Sequence, residues 1–434
     1  MGFDVDVDFV KAEEASGGNS MNIIGFIKGE LKRIMGTNMF ALGVLVVDGL
    51  AALPARVGRR REEKEFRTCV VAAPGNGNIG DQALLETCLD RAGEGKVAVV
   101  MGSHDSLAIP ERYMPNVSVF ENRDLIYSLG WRRLIAIVGF ARLSVRSDRV
   151  WVIGADTMDG AYNRLASISR FSLARIASVL GADSRILGFS WNGSAVDSSV
   201  LAARRVEKRV QLWVRDPISL TRIHADGVER AQLCADIVFA RTSPAQVDGS
   251  IKEWMDSQVK DGRRVAVVNA SGLIAEQFDQ VGEYKKVLDY LLTSGWSVVL
   301  LPHVSRPGND DIEELTRLCS EVSSDRIIKV DRLLEPDQVL GVVRDASVVV
   351  TGRMHLAVLS ILGGTYPITI ATQGKVEGLY ESLRLPELCI EPEGGCGGRI
   401  VEVLLELDRN SVLSGMIPGA DVEELRGRAE LAFA

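Results

Sequence analysis

The chain has 434 residues, 46% of them hydrophobic and 25% charged, with a formal net charge of -8. That length and composition call for two globular domains of comparable size, and the acidic balance excludes nucleic acid as the main partner while allowing an anionic small ligand held by a few local arginines. The six cysteines lack any Cys-x-x-Cys pair, which is the usage of a reducing cytoplasm, and the four histidines lack metal-ligand spacing.

Residues 1–66 read as an extension distinct from the rest. Gly17-Gly18-Asn19-Ser20 suggests a flexible leader, with Met21 as an alternative start. Met39 to Leu53 is mostly apolar, broken by Gly43 and by Asp48-Gly49, and followed by Arg56, Arg59, Arg60 and Arg61. A transmembrane helix needs about 20 apolar residues. This shorter, interrupted run reads as a helical extension packed on the body, with an in-plane membrane helix carrying a basic flank as the alternative. No small-residue cleavage site ends the run convincingly, so a secretory signal is not expected.

From Thr68 the pattern alternates between strand and helix. Thr68 to Ala73 reads as a strand, Pro74 to Asp81 as a Gly/Asn loop and Gln82 to Arg91 as a helix. Further strand-like runs fall at Val97–Met101, Val150–Ile153, Ile186–Phe189, Leu212–Val214 and Gln232–Phe239. A second series begins near Arg264, with strands expected at Val265–Asn269, Ser297–Leu301, Arg326–Val330, Ser347–Val350 and Pro367–Ile370. Two such series predict an α/β chain of two Rossmann-like parallel-sheet domains, spanning 67–245 and 246–434, with the boundary in the Arg241–Arg263 stretch.

The second series holds the most informative segment. Val348 to Val350 is a continuous β-branched run, Thr351-Gly352 a turn, and Arg353 to Leu362 an apolar helix stopped by Gly363-Gly364. Arg353 and His355 therefore stand where a strand ends and a helix begins. Unpaired main-chain N–H groups and the positive end of the helix dipole make that a place for anions. Arg adds a planar fork of donors, and His the one side chain that ordinarily titrates near neutrality. The bland alternative is an Arg paired with a strand-end carboxylate and a His that satisfies a buried carbonyl.

In open parallel sheets ligands bind beyond the carboxyl ends of the strands. The polar residues expected there are Asn76, Asn78 and Asp81, then Asp156 and Asp159, Trp191 and Asn192, and Arg215, followed in the second series by Asn269, Ser271, His303, Arg353 and His355. The first loop lacks the Walker lysine and is not Gly-x-Gly-x-x-Gly, so nucleotide binding is weakly supported there. Asp81 reads equally as a helix cap, and Asp216-Pro217 as an N-cap and first-turn proline. Asp156 and Asp159 read more simply as turn and cap residues than as metal ligands. His303 either lines the cleft or bonds to the Asp310-Asp311 helix start.

Together these residues resemble the polysaccharide pyruvyl transferases. The resemblance rests on Gly75-Asn76-Gly77-Asn78-Ile79-Gly80-Asp81, Val214-Arg215-Asp216 with Ser219, Leu301-Pro302-His303, and Thr351-Gly352-Arg353-Met354-His355 through Lys375 and Gly378-Leu379. It spans about residues 68 to 390 and departs where the glycine-rich turn usual in the family reads Gly154-Ala155-Asp156. It implies a GT-B-like fold, two domains facing a cleft, and transfer of the pyruvyl group of phosphoenolpyruvate to two hydroxyls of a sugar in a surface polysaccharide (exopolysaccharide) or its precursor, forming a ketal. Catalytic roles then fall on His355, Arg353 and Arg215, and substrate contacts on Asn76, Asn78, Asp81, Asp156, Asn192, Asn269, His303 and Lys375. No cofactor or metal is implied beyond the donor substrate. The expected location is the cytoplasm, with association at the inner face of the membrane as a variant. A nucleotide-sugar glycosyltransferase and a non-catalytic binding member of the same fold are the competing readings.

Overall fold

A computed structural model describes residues 29–57, 64–246, 248–275, 278–371 and 375–434. The Gly17–Ser20 leader, Met21 and Arg59–Arg61 lie outside the described residues. The chain divides into two compact units, Met1–Pro74 with Arg91–Cys234 and Gly75–Asp90 with Ala235–Ala434. This differs from the sequence-based division at 245/246 in two respects. The change of unit falls at Cys234/Ala235, and the loop and helix that follow the first strand group with the second series.

The first unit is built on a seven-stranded parallel sheet. Its strands are β1 (Phe66–Val71), β2 (Val97–Met101), β3 (Val117–Glu121), β4 (Ser147–Ala155), β5 (Asp183–Phe189), β6 (Gln211–Val214) and β7 (Ala231–Leu233). Their order is β3-β2-β1-β4-β5-β6-β7, every pairing parallel. β2 is buried throughout and β1 is buried at all but one position, as their β-branched runs require. Two runs differ from expectation. The segment 103–124, for which the sequence predicts no strand, contains edge strand β3, whose half-exposed side chains give no apolar run. The Gln232–Phe239 run is a strand only to Leu233, because the Asp236 side chain accepts from Val238 N at 3.0 Å and starts a 3-10 turn over Ile237–Ala240.

Helix α1 (Asn38–Val57) is continuous through Gly43 and Gly49. It packs on α2 (Trp131–Val145), α3 (Arg164–Val179) and α4 (Asp197–Val206) of the same unit.

The second unit carries a six-stranded parallel sheet of β8 (Val265–Asn269), β9 (Ser297–Leu300), β10 (Ile327–Lys329), β11 (Val348–Thr351), β12 (Pro367–Ile370) and β13 (Cys389–Ile390). Its order is β10-β9-β8-β11-β12-β13. Strand order reverses between β8 and β11, which run side by side with Asn269 opposite Thr351. A topological switch point of this kind opens a crevice at the carboxyl ends of its two strands. The sequence places Arg353 and His355 there. All six cysteines are free thiols.

Candidate functional site

The site is assembled within the second unit. β11 ends at Thr351, Gly352 turns the chain, and helix α5 (Met354–Leu362) begins with Arg353 as its N-cap. Gly352 is required at that turn, since a Cβ there would stand 2.3 Å from Ile274 Cδ1 and 2.9 Å from Ser271 Cβ. The Thr351 hydroxyl accepts from Arg353 N at 2.9 Å and donates to Asn269 Oδ1 at 3.1 Å, fastening the turn to the neighbouring strand.

Arg353 is buried and anchored on Asp311. Its Nε donates to Asp311 Oδ1 and Oδ2 at 3.1 and 3.3 Å, and its Nη2 donates to Asp311 Oδ1 and to Asn309 Oδ1. Asp311, fully buried, also accepts from Asn269 Nδ2 at 2.9 Å and from the main-chain N–H groups of Gly272, His303 and Val304 at 3.0 Å each. Burial works to raise this carboxyl. The Arg353 charge and the bonds from Arg353, Asn269 and Gly272 outweigh it and hold the carboxyl below its usual range. The bland reading of Arg353 is thus half met: one edge of the guanidinium is committed to a carboxylate. Its Nη1, however, donates to no protein atom among the described residues, and neither do the main-chain N–H groups of Met354 and His355. Three donor groups at a helix N-terminus therefore remain for a ligand.

His355 is also buried and satisfies no carbonyl. Its Nε2 lies 3.3 Å from Asp236 Oδ2, without the alignment of a hydrogen bond. The ring is walled where the loop that follows β1 enters the helix Ile79–Arg91. A Cβ added at Gly80 would fall 2.3 Å from His355 Nδ1, 2.7 Å from Cγ and 2.9 Å from Cβ. Glycine is therefore what lets the imidazole sit where it does.

That loop is itself shaped for close approach. Gly75, Asn76 and Gly77 all have positive φ, at 72°, 53° and 74°. A Cβ at Gly77 would lie 2.1 Å from the Ser305 carbonyl oxygen, a distance no side chain tolerates. Ser305 N donates to Gly77 O at 2.9 Å and Ile79 N to His303 O at 3.2 Å, with Asn78 bridging Val304. The Asp81 carboxylate accepts from Gly75 N at 3.0 Å, and Asn78 Oδ1 accepts from Gly80 N at 3.0 Å, so both serve to hold the turn. Asn76 points its side chain into solvent.

His303 follows β9 and is buried, with neither ring nitrogen hydrogen-bonded. It meets the Asp311 helix start through its main chain, as given above, and not through its ring. Burial, then the neighbouring His355, push its imidazole down to about 3 despite the pull of Asp311, so the ring is neutral near pH 7. Asn269 spends its amide on Asp311 and on Leu301 O, at 3.0 Å, which makes it a brace for the anchor. Lys375 opens the helix Lys375–Leu383 and is half-buried.

The remaining sequence candidates belong to the first unit. Arg215, after β6, donates from Nε to Ser190 Oγ at 2.8 Å and pairs through Nη2 with Asp156. Asn192 N donates to Asp159 Oδ2 at 3.2 Å, and the Asn192 side chain closes a turn on Ser194. Asp216 caps the following helix by accepting from Ser219 N at 2.7 Å. At the departure noted in Gly154-Ala155-Asp156, Ala155 occupies the left-handed region with φ 46°.

Three residues of the site were not given a role from sequence, although Gly80 stands in the Gly75–Asp81 motif and Asp311 at the Asp310-Asp311 helix start. Asp311, Asp236 and Gly80 act on Arg353 and His355 from 42, 119 and 275 positions away.

Comparison with known proteins bears on this geometry. The family model described as polysaccharide pyruvyl transferase matches residues 78–374, more than half of the chain and all of the site residues described in the second unit except Gly75, Asn76, Gly77 and Lys375. No curated protein matches the sequence. Among solved structures, the chain is similar to Alr3699/HepE of Anabaena in complex with UDP and glucose, with a TM-score of 0.53, 13% identity and coverage of 85% of this chain and 95% of that one. It is likewise similar to a glycosyltransferase from Rickettsia africae, with a TM-score of 0.50, 9% identity and coverage of 85% and 93%. At such identities the likeness concerns the fold, which is of the GT-B type.

Proposed function

The chain belongs to the polysaccharide pyruvyl transferase family and is a transferase, and from that premise we propose that it moves the pyruvyl group of phosphoenolpyruvate onto two hydroxyls of a sugar, forming a ketal. The observation that carries the reading is the trio of uncommitted donors, Arg353 Nη1 and the N–H groups of Met354 and His355, beside an imidazole held in place by Gly80 and Asp236.

In this reading the donor's phosphate or carboxylate rests on those three groups, where charge-assisted bonds to a guanidinium and a helix N-terminus are strong. A proton added to the methylene carbon makes the adjacent carbon electrophilic, and a sugar hydroxyl oxygen bonds to it as that hydroxyl gives up its own proton. A second hydroxyl then attacks the same carbon as the C–O bond to phosphate breaks, its proton passing to the leaving phosphate oxygen, and inorganic phosphate departs. One proton is delivered and one recovered in the first step, so a single imidazole suffices, and His355 is that group. Asp236, with Oδ2 3.3 Å from Nε2, sets a carboxylate beside the ring. Asp311 fixes Arg353 without touching substrate.

Ligand-induced stabilisation tests the anion site. Millimolar phosphoenolpyruvate should raise the melting temperature of the wild type and not that of Arg353→Ala. The absence of any shift in the wild type contradicts the reading. The Anabaena structure bears UDP and glucose. Stabilisation here by a nucleoside diphosphate sugar, with none by phosphoenolpyruvate, would select glycosyl transfer instead.

A further inference from the structure

The first unit carries a feature that pyruvyl transfer does not use. Helix α1 is apolar on both faces, its inner side packing Ala41, Val44, Leu45 and Ala52. Its one acidic residue, Asp48, faces inward and is fully buried, accepting from Arg133 Nε and Nη2 at 3.0 and 2.6 Å and from Ser172 Oγ at 2.6 Å. Arg133 in turn donates to Leu125 O and Ser169 Oγ. On the opposite side Met39, Leu42, Val46, Val47, Leu50 and Leu53 stand exposed, Met39 by 83% and Leu50 by 61%. The spacing of Met39, Leu42, Val46, Leu50 and Leu53 by three and four residues puts them on one stripe. Two exposed residues of α2, Trp131 and Ile135, stand on the neighbouring helix, and an apolar groove between α1 and α3 lies beside the stripe, with Arg175 in its wall.

Among the described residues α1 is the one helix long and apolar enough to cross a membrane. The buried Asp48–Arg133 pair and the three helices packed on its inner side argue against a membrane-crossing role. What covers the stripe is indicated by charge. Residues 29–64 contain seven basic side chains, Lys32, Arg33, Arg56, Arg59, Arg60, Arg61 and Lys64, against four acidic ones, of which Asp48 is inside, in a chain whose net charge is -8. Basic residues thus bracket the stripe in sequence at both ends. Anionic headgroups complement this basic bracket in a way that a second copy carrying the same net-basic segment does not. Trp131, with its amphipathic ring at 55% exposure, is a suitable interfacial anchor.

We propose that the exposed face of α1, with Trp131 and Ile135, docks in the interfacial layer of an anionic lipid bilayer, the helix lying in the membrane plane. The inference is independent of the donor assignment above. It is tested by co-sedimentation of the full chain with vesicles of phosphatidylcholine alone or mixed with phosphatidylglycerol, using wild type and Val46→Asp/Leu50→Asp. Both substituted positions are exposed, and circular dichroism and melting temperature check that the variant folds. The expected result is binding to phosphatidylglycerol vesicles that falls at least tenfold in the double variant and weakens with salt. Absence of binding by a monomeric wild type overturns the proposal. So does a concentration-dependent dimer, seen by light scattering without vesicle binding and dissolved by the double variant, which makes the occupant a second copy. Phosphate release with a soluble acceptor should be unchanged in the variant, so failure of this proposal is distinguishable from failure of the transferase reading.

Discussion

Gly80→Ala tests the placement of His355 with the smallest available perturbation. Gly80 sits in the first turn of the helix Ile79–Arg91, without the positive φ that would itself penalise alanine. On helix propensity alone the change would stabilise by about 1 kcal/mol. The added methyl, however, falls 2.3 Å from His355 Nδ1 and 2.9 Å from its Cβ. Ordinary van der Waals contact begins near 3.4 Å, so the imidazole must retreat by roughly 1 Å, and the involvement of Cβ means that a ring flip does not relieve the clash. A displacement of about 1 Å at a reacting group costs on the order of 100-fold in rate. Arg353 is anchored independently on Asp311, so phosphoenolpyruvate binding should survive. Steady-state phosphate release is the assay. The expected result is a kcat about 100-fold below wild type with KM for phosphoenolpyruvate within a few-fold and an unchanged fold by circular dichroism. Wild-type kcat in Gly80→Ala would refute the assignment of His355 as the proton carrier.

Three further outcomes follow from the same geometry. Asp311→Ala strands a buried guanidinium and several N–H groups, and should lower stability by about 3–5 kcal/mol and abolish stabilisation by phosphoenolpyruvate; a denaturation midpoint equal to wild type contradicts the anchor role. His303 titrates near 6.5 when unfolded but only at about 3 when folded. The unfolded chain therefore binds the extra proton first, and stability is lost as pH falls below about 6.5, at up to about 1.4 kcal/mol per pH unit. Asp311, held below its usual range, adds a loss of the same sign at lower pH. His303→Phe should flatten the slope between pH 6.5 and 4.5, and an unaltered slope by urea denaturation would show that His303 is not the group responsible. Ala155→Gly, which relieves a left-handed alanine, should raise stability by about 1 kcal/mol, and a lower melting temperature would contradict the strain.

The sheets were legible because their strands are buried on both faces. Runs such as Val348–Val350 and Val97–Met101 leave no other period, and the two successive β/α series led directly to two parallel sheets. Edge strands β3 and β13 were not legible, since a strand half exposed at an edge carries no continuous apolar signal. The positions of Arg353 and His355 at a strand end and helix start followed from local pattern. Their partners did not, because Asp311, Asp236 and Gly80 reach them only through the fold. The loop from Gly75 shows the limit most clearly. Its composition marked a Gly/Asn loop, but that Ser305 packs against it, and that the loop belongs with the second unit, depends on contacts more than 200 residues apart. Asp48 within an apolar helix read as an interruption, and is instead the point where that helix is fastened.

The central claim is most directly tested by measuring phosphate released from phosphoenolpyruvate across a panel of sugar acceptors, with wild type, Arg353→Ala and His355→Ala side by side. Acceptor-dependent release by the wild type, reduced by at least two orders of magnitude in both variants, is the expected result. Release that persists in His355→Ala, or no release by the wild type with any acceptor while a nucleotide sugar is turned over, would contradict it.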